Sequence, residues 1–243
     1  MTALDTSRSD LVTLLVAEVF GPTVQGEGPT AGRRCSFLRL GDCNLACDWC
    51  DTPYTWDGGR FDLRAELTNR PVHLLVDELL AGEVDRVVIT GGEPLLHQRR
   101  TGWRQLLQEL GRAGVDVEVE TNGTIPPQPF TTEFVAAFNV SPKLASAGMD
   151  LRRRVRVAAL TTLRDTGKAT FKFVCRTPGD VAEAADLVDH LGIPAGMVWV
   201  MPEGTTRAEV DRHLAVIADP VVSHGFNLCT RLHVLAWGDE RGR

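Results

Sequence analysis

The chain has 243 residues, 26 Lys and Arg against 32 Asp and Glu for a net charge of -6, and 43% hydrophobic and 24% charged residues. These values suit one globular domain, residues 1–243, with a sizeable core, and they exclude a basic nucleic-acid-binding protein; no nucleic-acid partner is expected. No apolar run is long enough to span a membrane and the first ten residues lack the apolar stretch of a secretory signal, so no membrane partner and a cytoplasmic location are expected.

Residues 1–10 are polar and are expected to form a disordered tail. Leu14 to Phe20 reads as a strand and Gly21 to Arg33 as a loop, so that residues 14–33 form an N-terminal strand and a candidate binding loop. In that loop Val24, Gln25, Gly26, Glu27 and Gly28 set polar side chains beside glycines that permit close backbone approach. Cys35 to Leu40 alternates like a strand and leads into a dense group of cysteines.

Further on, His73 to Ala81 reads as a helix, Arg86 to Thr90 as a strand, Trp103 to Ala113 as a helix and Val115 to Glu120 as a strand. Phe134 to Val140 reads as a strand, Val155 to Arg164 as a helix, Thr170 to Cys175 as a strand and Val181 to Leu191 as a helix. Met197 to Met201 reads as a strand, Arg207 to Ala218 as a helix, and Leu228 to Leu235 as a closing strand. Alternating strands and helices imply a parallel sheet with right-handed crossovers, and about six βα units describe an open, partial (β/α)6 barrel. Arg152-Arg153-Arg154 reads as a solvated helix face.

Polar and glycine-rich motifs fall at the carboxyl ends of the strands: the cysteines, Thr90-Gly91-Gly92-Glu93-Pro94, Glu120-Thr121-Asn122-Gly123, Ser141-Pro142-Lys143 and Met201-Pro202-Glu203-Gly204. That rim is where parallel α/β folds build their sites, so these motifs describe one large site. Cys43, Cys47 and Cys50 are spaced C-x3-C-x2-C. Three thiolates can hold three irons of a 4Fe–4S cubane and leave the fourth iron open, whereas a closed structural zinc site wants four ligands. Zinc held with a distant His or with Cys229 is the alternative, a non-catalytic iron–sulfur or zinc protein. Cys35, Cys175 and Cys229 sit in apolar runs and read as small buried hydrophobes.

The cysteine motif, with Trp49 before its last member, together with Gly91-Gly92-Glu93-Pro94, resembles the radical SAM superfamily. The resemblance implies a 4Fe–4S cluster on Cys43, Cys47 and Cys50 and S-adenosylmethionine (SAM) bound by Trp49, Asp51, Gly91, Gly92 and Glu93. Ser141, Pro142, Lys143, Met201, Pro202, Glu203 and Gly204 match the strand-end segments that embrace SAM. It also implies an external one-electron donor such as flavodoxin or ferredoxin.

Within that superfamily, Val16 to Gly238 resembles the 7-carboxy-7-deazaguanine synthase family. The family implies a magnesium-dependent radical ring contraction of 6-carboxy-5,6,7,8-tetrahydropterin with loss of ammonia, serving queuosine or other 7-deazapurines, and a homodimer. Val24, Gln25, Gly26 and Glu27 match its substrate loop, and Arg39 matches the arginine that grips the substrate carboxylate in a bidentate pair. Thr52 matches the magnesium ligand, Thr90 a further substrate contact and His233 a substrate-contacting histidine. Glu120 is expected to orient substrate or the SAM ribose, or to pair with Lys143 or Lys172; Arg39, Glu120 and His233 are the candidate catalytic residues. Met201 departs from the family, which often has Gln there. The small glycyl-radical activases share the cysteine motif but leave the Gln25 loop, Arg39 and Thr52 without a role.

Overall fold

The computed structural model describes residues 12–243; the expected tail, residues 1–10, lies outside them. In chain order the elements are β1 (Thr13–Val24), β2 (Arg34–Leu40), α1 (Leu63–Glu66), β3 (Thr68–Pro71), α2 (Val72–Leu80), β4 (Arg86–Gly91), α3 (Thr101–Arg112) and β5 (Asp116–Thr121). They continue with α4 (Pro129–Phe134), β6 (Ala137–Val140), α5 (Leu151–Arg154), α6 (Val157–Asp165), β7 (Ala169–Cys175), α7 (Pro178–Leu191), β8 (Val198–Pro202), α8 (Arg207–Ser223), β9 (Asn227–Leu228) and α9 (Leu232–Trp237). One sheet runs β3-β1-β2-β4-β5-β6-β7-β8-β9 and does not close on itself. From β2 to β9 neighbouring strands are parallel, while β1 pairs antiparallel with both β2 and β3. The open partial barrel expected from the alternation is therefore present, with an antiparallel edge added at its N-terminal side.

Each strand has two faces of opposite chemistry. On β2, β4, β5, β6, β7 and β8 one set of alternate residues joins the helix-packed core: Leu38, Ile89, Val119, Phe138, Phe171 and Val200 are examples, all fully buried. Against them pack Leu75 and Leu79 of α2, Trp103 and Leu107 of α3, Val181 of α7 and Ile217 of α8. The other set, including Arg39, Thr90, Glu120, Asn139 and Lys172, lines a cavity. Period-two geometry makes this division unavoidable once one face is committed to the helices. The long helices start where their chemistry says they should: Thr177 with Asp180 and Thr206 with Glu209 form reciprocal capping boxes at α7 and α8.

Two elements differ from the expectations. The closing strand Leu228 to Leu235 is only two residues long, and His233 stands in the helix α9. The ladder stops because the Leu232 N–H turns to the Gly26 carbonyl, 2.8 Å away, instead of continuing along β8. Phe134 closes a short helix, α4, rather than opening a strand; Pro129 starts that helix, and Phe130 and Phe134, one turn apart, bring their rings to 4.7 Å.

β1 also runs on to Val24, into the expected loop, and its register against β2 shifts between Val16 and Glu18. Before the shift Val16 opposes Leu40, both in the helix-packed core; after it Glu18 opposes Arg39 and Phe20 opposes Phe37. Phe37 and Arg39 both line the cavity. The inserted residue, Ala17, therefore reverses the parity of the strand and carries Glu18 and Phe20 to the cavity face. Inserting one alanine after Ala17 is expected to move the Glu18 carboxylate one position on, opposite Leu38 on the apolar-core face, and to cost about 3 kcal/mol or more, since a buried charge without a partner is costly. Chemical denaturation of the insertion variant checks this; an unchanged midpoint would show that the residue count at Ala17 does not set the parity.

Candidate active site

The cavity lies at the carboxyl ends of the parallel strands, with about 1160 Å³ of empty space including its mouth. At one end are Cys43, Cys47 and Cys50, all free thiols. Their loop is tied down on both flanks. The Asn122 side-chain amide donates to Asn44 Oδ1 at 3.0 Å and the Asn44 amide to Thr124 Oγ1 at 2.8 Å, while the Asp48 N–H reaches the Ala147 carbonyl at 3.2 Å. Leu45, Cys47 and Ala147 form a small apolar cluster beneath the thiols, with Trp49 and Met149 packed against it. Two donors face the sulfurs: the Leu45 N–H to Cys43 Sγ at 3.5 Å and the Trp56 indole N–H to Cys50 Sγ at 3.3 Å. Burial pushes the Cys43 thiol up to about 12 and raises that of Cys47.

These features fit an iron–sulfur cubane. The apolar bed suppresses bare thiolates, so deprotonation calls for metal charge, and N–H donors to sulfur are what such clusters use to tune potential. Among the described residues no three His, Cys, Asp or Glu side chains converge on a single metal ion.

The glycine motif sits directly beside the thiol loop. A Cβ on Gly91 would stand 2.2 Å from the Leu40 carbonyl oxygen, and one on Gly92 2.0 Å from that of Asp42. The Gly92 N–H donates to Leu40 O at 3.1 Å and the Glu93 N–H to Asp42 O at 2.8 Å. Both glycines line the cavity, so their backbone is free to meet a ligand on the other side. The Glu93 side chain turns away from the cavity. Fully buried, it accepts from the Leu95 N–H at 2.9 Å, Thr121 Oγ1 at 2.8 Å and the Asn122 N–H at 2.7 Å, joining the ends of β4 and β5. Burial raises its carboxyl in spite of these donors.

In the middle of the cavity four charges interlock. Glu27 accepts from Lys172 and from Arg231 Nε, the latter at 2.9 Å; Arg231 Nη2 meets Asp51, and Arg231 Nη1 donates to the Gly204 carbonyl at 2.7 Å. Burial alone would raise the Glu27 carboxyl, but Lys172 and Arg231 outweigh it and hold it well below the usual carboxylate range. His233 Nε2 lies 4.0 Å from Glu27, and burial lowers its pKa, which keeps the ring neutral at pH 7. Gly26 makes room for that ring: a Cβ there would meet His233 Nδ1 at 1.9 Å.

Behind the cavity wall, Glu118 gathers Thr30 Oγ1 at 2.9 Å, Arg86 Nη1 at 3.2 Å and the Asn139 amide. The Gln25 amide donates to both Glu118 and Glu120 at 3.1 Å, and Thr90 Oγ1 donates to Glu120 at 2.7 Å. Glu120 faces the cavity with its carboxylate thus oriented; its hydrogen-bond partners are Gln25 and Thr90, not Lys143 or Lys172. Lys143 instead donates to Ser141 Oγ at 2.9 Å and lies 5.3 Å from the centre of the Trp49 ring.

Most residues expected at the site from the sequence meet in this cavity: Val24 to Glu27, Arg39, the three cysteines, Asp51, Thr52, Thr90 to Gly92, Glu120, Ser141, Lys143, Met201 and His233. The side chains of Trp49, Glu93, Pro142, Pro202 and Glu203, and Gly204, are not in its wall. Trp49 packs beside the thiol loop, Pro142 and Pro202 are buried, and Gly204 serves the close approach of α8, where a Cβ would meet Glu209 Cβ at 2.7 Å. Sequence reading missed Arg231, Asn139 and Trp56, placed Asn122 in a strand-end motif of the site without giving it a role, and missed Lys172 as the partner of Glu27. Lys172 carried a signal, a charge inside the apolar run Phe171 to Cys175; Arg231 carried none.

Residues 39–217 match the radical SAM superfamily. The chain is 39% identical over 233 residues to a 7-carboxy-7-deazaguanine synthase of Pyrobaculum aerophilum, spanning 94% of this chain and 96% of that relative. It belongs to the 7-carboxy-7-deazaguanine synthase family. The Hyperthermus butylicus relative of the same name is 37% identical over 233 residues, spanning 91% and 92% of the two chains. In fold, the chain resembles QueE from Escherichia coli, with a TM-score of 0.68 over 91% of this chain and 95% of that one at 24% identity. As a member of this family the protein is a radical SAM enzyme that works with a 4Fe–4S cluster and SAM. Among the described residues no helix is long and apolar enough to cross a membrane.

Glu27 provides a test of the buried network. Glu27→Gln leaves Lys172 and Arg231 short of a counter-charge and is expected to cost about 3–5 kcal/mol, as when one partner of a buried pair is removed. Because the folded carboxyl sits below its unfolded value, its contribution is complete above the ordinary carboxylate pKa and drains away as pH falls toward the depressed one. The variant should therefore show a shallower loss of stability in acid; equal acid slopes in urea titrations would refute the network's role.

Proposed function

We propose that the protein converts 6-carboxy-5,6,7,8-tetrahydropterin to 7-carboxy-7-deazaguanine with loss of ammonia, in the synthesis of queuosine or another 7-deazapurine. The observation that carries this is a single cavity holding three metal-binding thiols at one end and the Arg39 guanidinium, the oriented Glu120 carboxylate and His233 along its walls. A polar pocket of this kind, with the Arg39 guanidinium in its wall, suits a small carboxylate-bearing heterocycle better than the backbone glycine of a protein substrate, the business of the glycyl-radical activases.

Cys43, Cys47 and Cys50 would hold the cluster, and the Gly91-Gly92 backbone with Ser141, Lys143 and Met201 would cradle SAM. Bound together and given one electron from a flavodoxin- or ferredoxin-like donor, these cofactors would supply the radical chemistry for hydrogen abstraction from the substrate. The rest falls to side chains. Arg39 pairs with the substrate carboxylate. Glu120, fixed by Gln25 and Thr90, accepts from the N–H groups of the pyrimidine edge. Neutral His233 contacts the substrate from the cavity wall beside Glu27. The paired charges of Glu27, Lys172, Arg231 and Asp51 keep the wall rigid without offering a free ion.

Thr52 would ligate magnesium. Its hydroxyl has only a long contact to Cys50 Sγ, 3.9 Å, while its carbonyl is taken by Thr55, so the oxygen is available to a hard cation that keeps several waters. A single radical SAM domain, a homodimer and a cytoplasmic location complete the proposal.

Anaerobic incubation of reconstituted protein with SAM, reductant, magnesium and the pterin is expected to yield the deazaguanine by mass, and Cys47→Ala to abolish 5′-deoxyadenosine formation. SAM cleavage without the product would move the enzyme to another radical reaction. Thr52→Ala is expected to weaken the magnesium dependence of turnover; an unaltered magnesium titration would remove Thr52 from the metal site.

A further inference from the structure

We infer that Arg241, in the segment after α9, and the bulge-delivered Glu18 form a positioning clamp that fixes which edge of Arg39 meets the substrate carboxylate. The inference rests on the substrate reading above and extends it to residues outside the strand-end motifs. Glu18 sits opposite Arg39 in the β1–β2 register because Ala17 reverses the strand's parity. Both oxygens of its carboxylate are held. Oε2 accepts from Arg39 Nε and from the Tyr54 hydroxyl, each at 2.9 Å, and Oε1 accepts from Arg241 Nε at 2.7 Å.

Arg241 is itself oriented on three sides. Its guanidinium carbon lies 3.8 Å from the centre of the Tyr54 ring, and its Nη2 donates to Glu66 at 3.1 Å. Burial would raise the Glu18 carboxyl, but Arg241, Arg39 and Tyr54 together hold it below its ordinary value, so it remains an anion.

The consequence for Arg39 is geometric. A guanidinium can grip a carboxylate along its Nε edge or across its two terminal nitrogens. Glu18 occupies the Nε side and leaves the Nη pair for a ligand in the cavity that Arg39 lines. Freed of Arg241, Glu18 could swing its second oxygen onto the same guanidinium and compete with the substrate. The clamp thus keeps the internal carboxylate at one nitrogen so that the external carboxylate has the other two. Glu18 and Arg241 are positioning residues; of the three, Arg39 alone touches the ligand. Arg241 is half exposed, with 50% of its side chain open to solvent, so its ion pairs add little to stability and its removal is a clean probe.

The test measures binding to reconstituted, SAM-loaded protein without reductant, by calorimetry under anaerobic conditions. Two ligands are compared: the 6-carboxytetrahydropterin and the same tetrahydropterin lacking the carboxyl group. Arg241→Met is expected to weaken the carboxylated ligand about tenfold, the scale of a lost charge-assisted hydrogen bond, and to leave the other ligand, the SAM affinity and the melting temperature unchanged; Glu18→Gln is expected to weaken the same ligand and, because it strips a counter-charge from the largely buried Arg39, to lower the melting temperature as well. Arg241→Lys should restore most of the loss. In turnover the same variants should raise KM more than they lower kcat.

The clamp is overturned if Arg241→Met weakens both pterins alike, weakens SAM in parallel, or changes neither while Arg39→Ala still loses the carboxylated ligand. If the wild-type protein fails to prefer the carboxylated pterin, the substrate reading falls and the clamp falls with it.

Discussion

The charged quartet of buried Glu27, Lys172 and Arg231 with the more exposed Asp51 is the constraint on which the site depends. It joins four parts of the chain that share no strand pairing with one another at that point: the loop after β1, the end of the thiol loop, β7, and the turn before α9. Two negative and two positive groups compensate each other's desolvation, so the ensemble is tolerable as a whole and intolerable with a member missing. That property makes it a lock rather than a source of net stability. It also explains why the last strand ends where it does. Arg231 must turn inward to reach Glu27, Asp51 and the Gly204 carbonyl, and the chain then has no geometry left to continue beside β8.

A second constraint is the strand period. A sheet covered by helices on one face has to present every other residue to the opposite face, and here that face is polar. Arg39, Thr90, Glu120, Asn139 and Lys172 occupy these alternate positions on β2, β4, β5, β6 and β7. Ordinary parallel sheets bury apolar residues on both faces. Polar residues in runs such as Asp116 to Thr121 and Ala169 to Cys175 are therefore departures from the fold's default, and they mark where ligand takes the place of core.

This is also the measure of what could be read beforehand. The central strands and the helices α2, α3, α7 and α8 announce themselves by apolar period and by capping residues, and the strand-end motifs follow from them. What escaped was decided by long-range pairing. Residues Leu228 to Leu235 have a strand's composition, yet the partners that stop the strand lie some two hundred residues upstream, at Gly26 and Glu27. The bulge at Ala17 has no local signature either: Leu14 to Phe20 reads as a continuous strand, and only the pairing with Leu40 and then Arg39 shows that its parity is reversed.

The glycine pair shows why motif and fold are hard to separate. Gly91 and Gly92 look like residues kept small for a cofactor. Their missing side chains are first required by protein, since the carbonyls of Leu40 and Asp42 stand 2.2 and 2.0 Å from where each Cβ would be. That approach is what draws the start of the thiol loop onto the end of β4, and Glu93 then fastens the end of β4 to β5 through Thr121 and Asn122. Any ligand bound between the thiols and the glycine backbone inherits its geometry from this contact. The motif can therefore serve the cofactor only by first serving the backbone, and a substitution there would disturb the thiol loop before it reached anything bound to it.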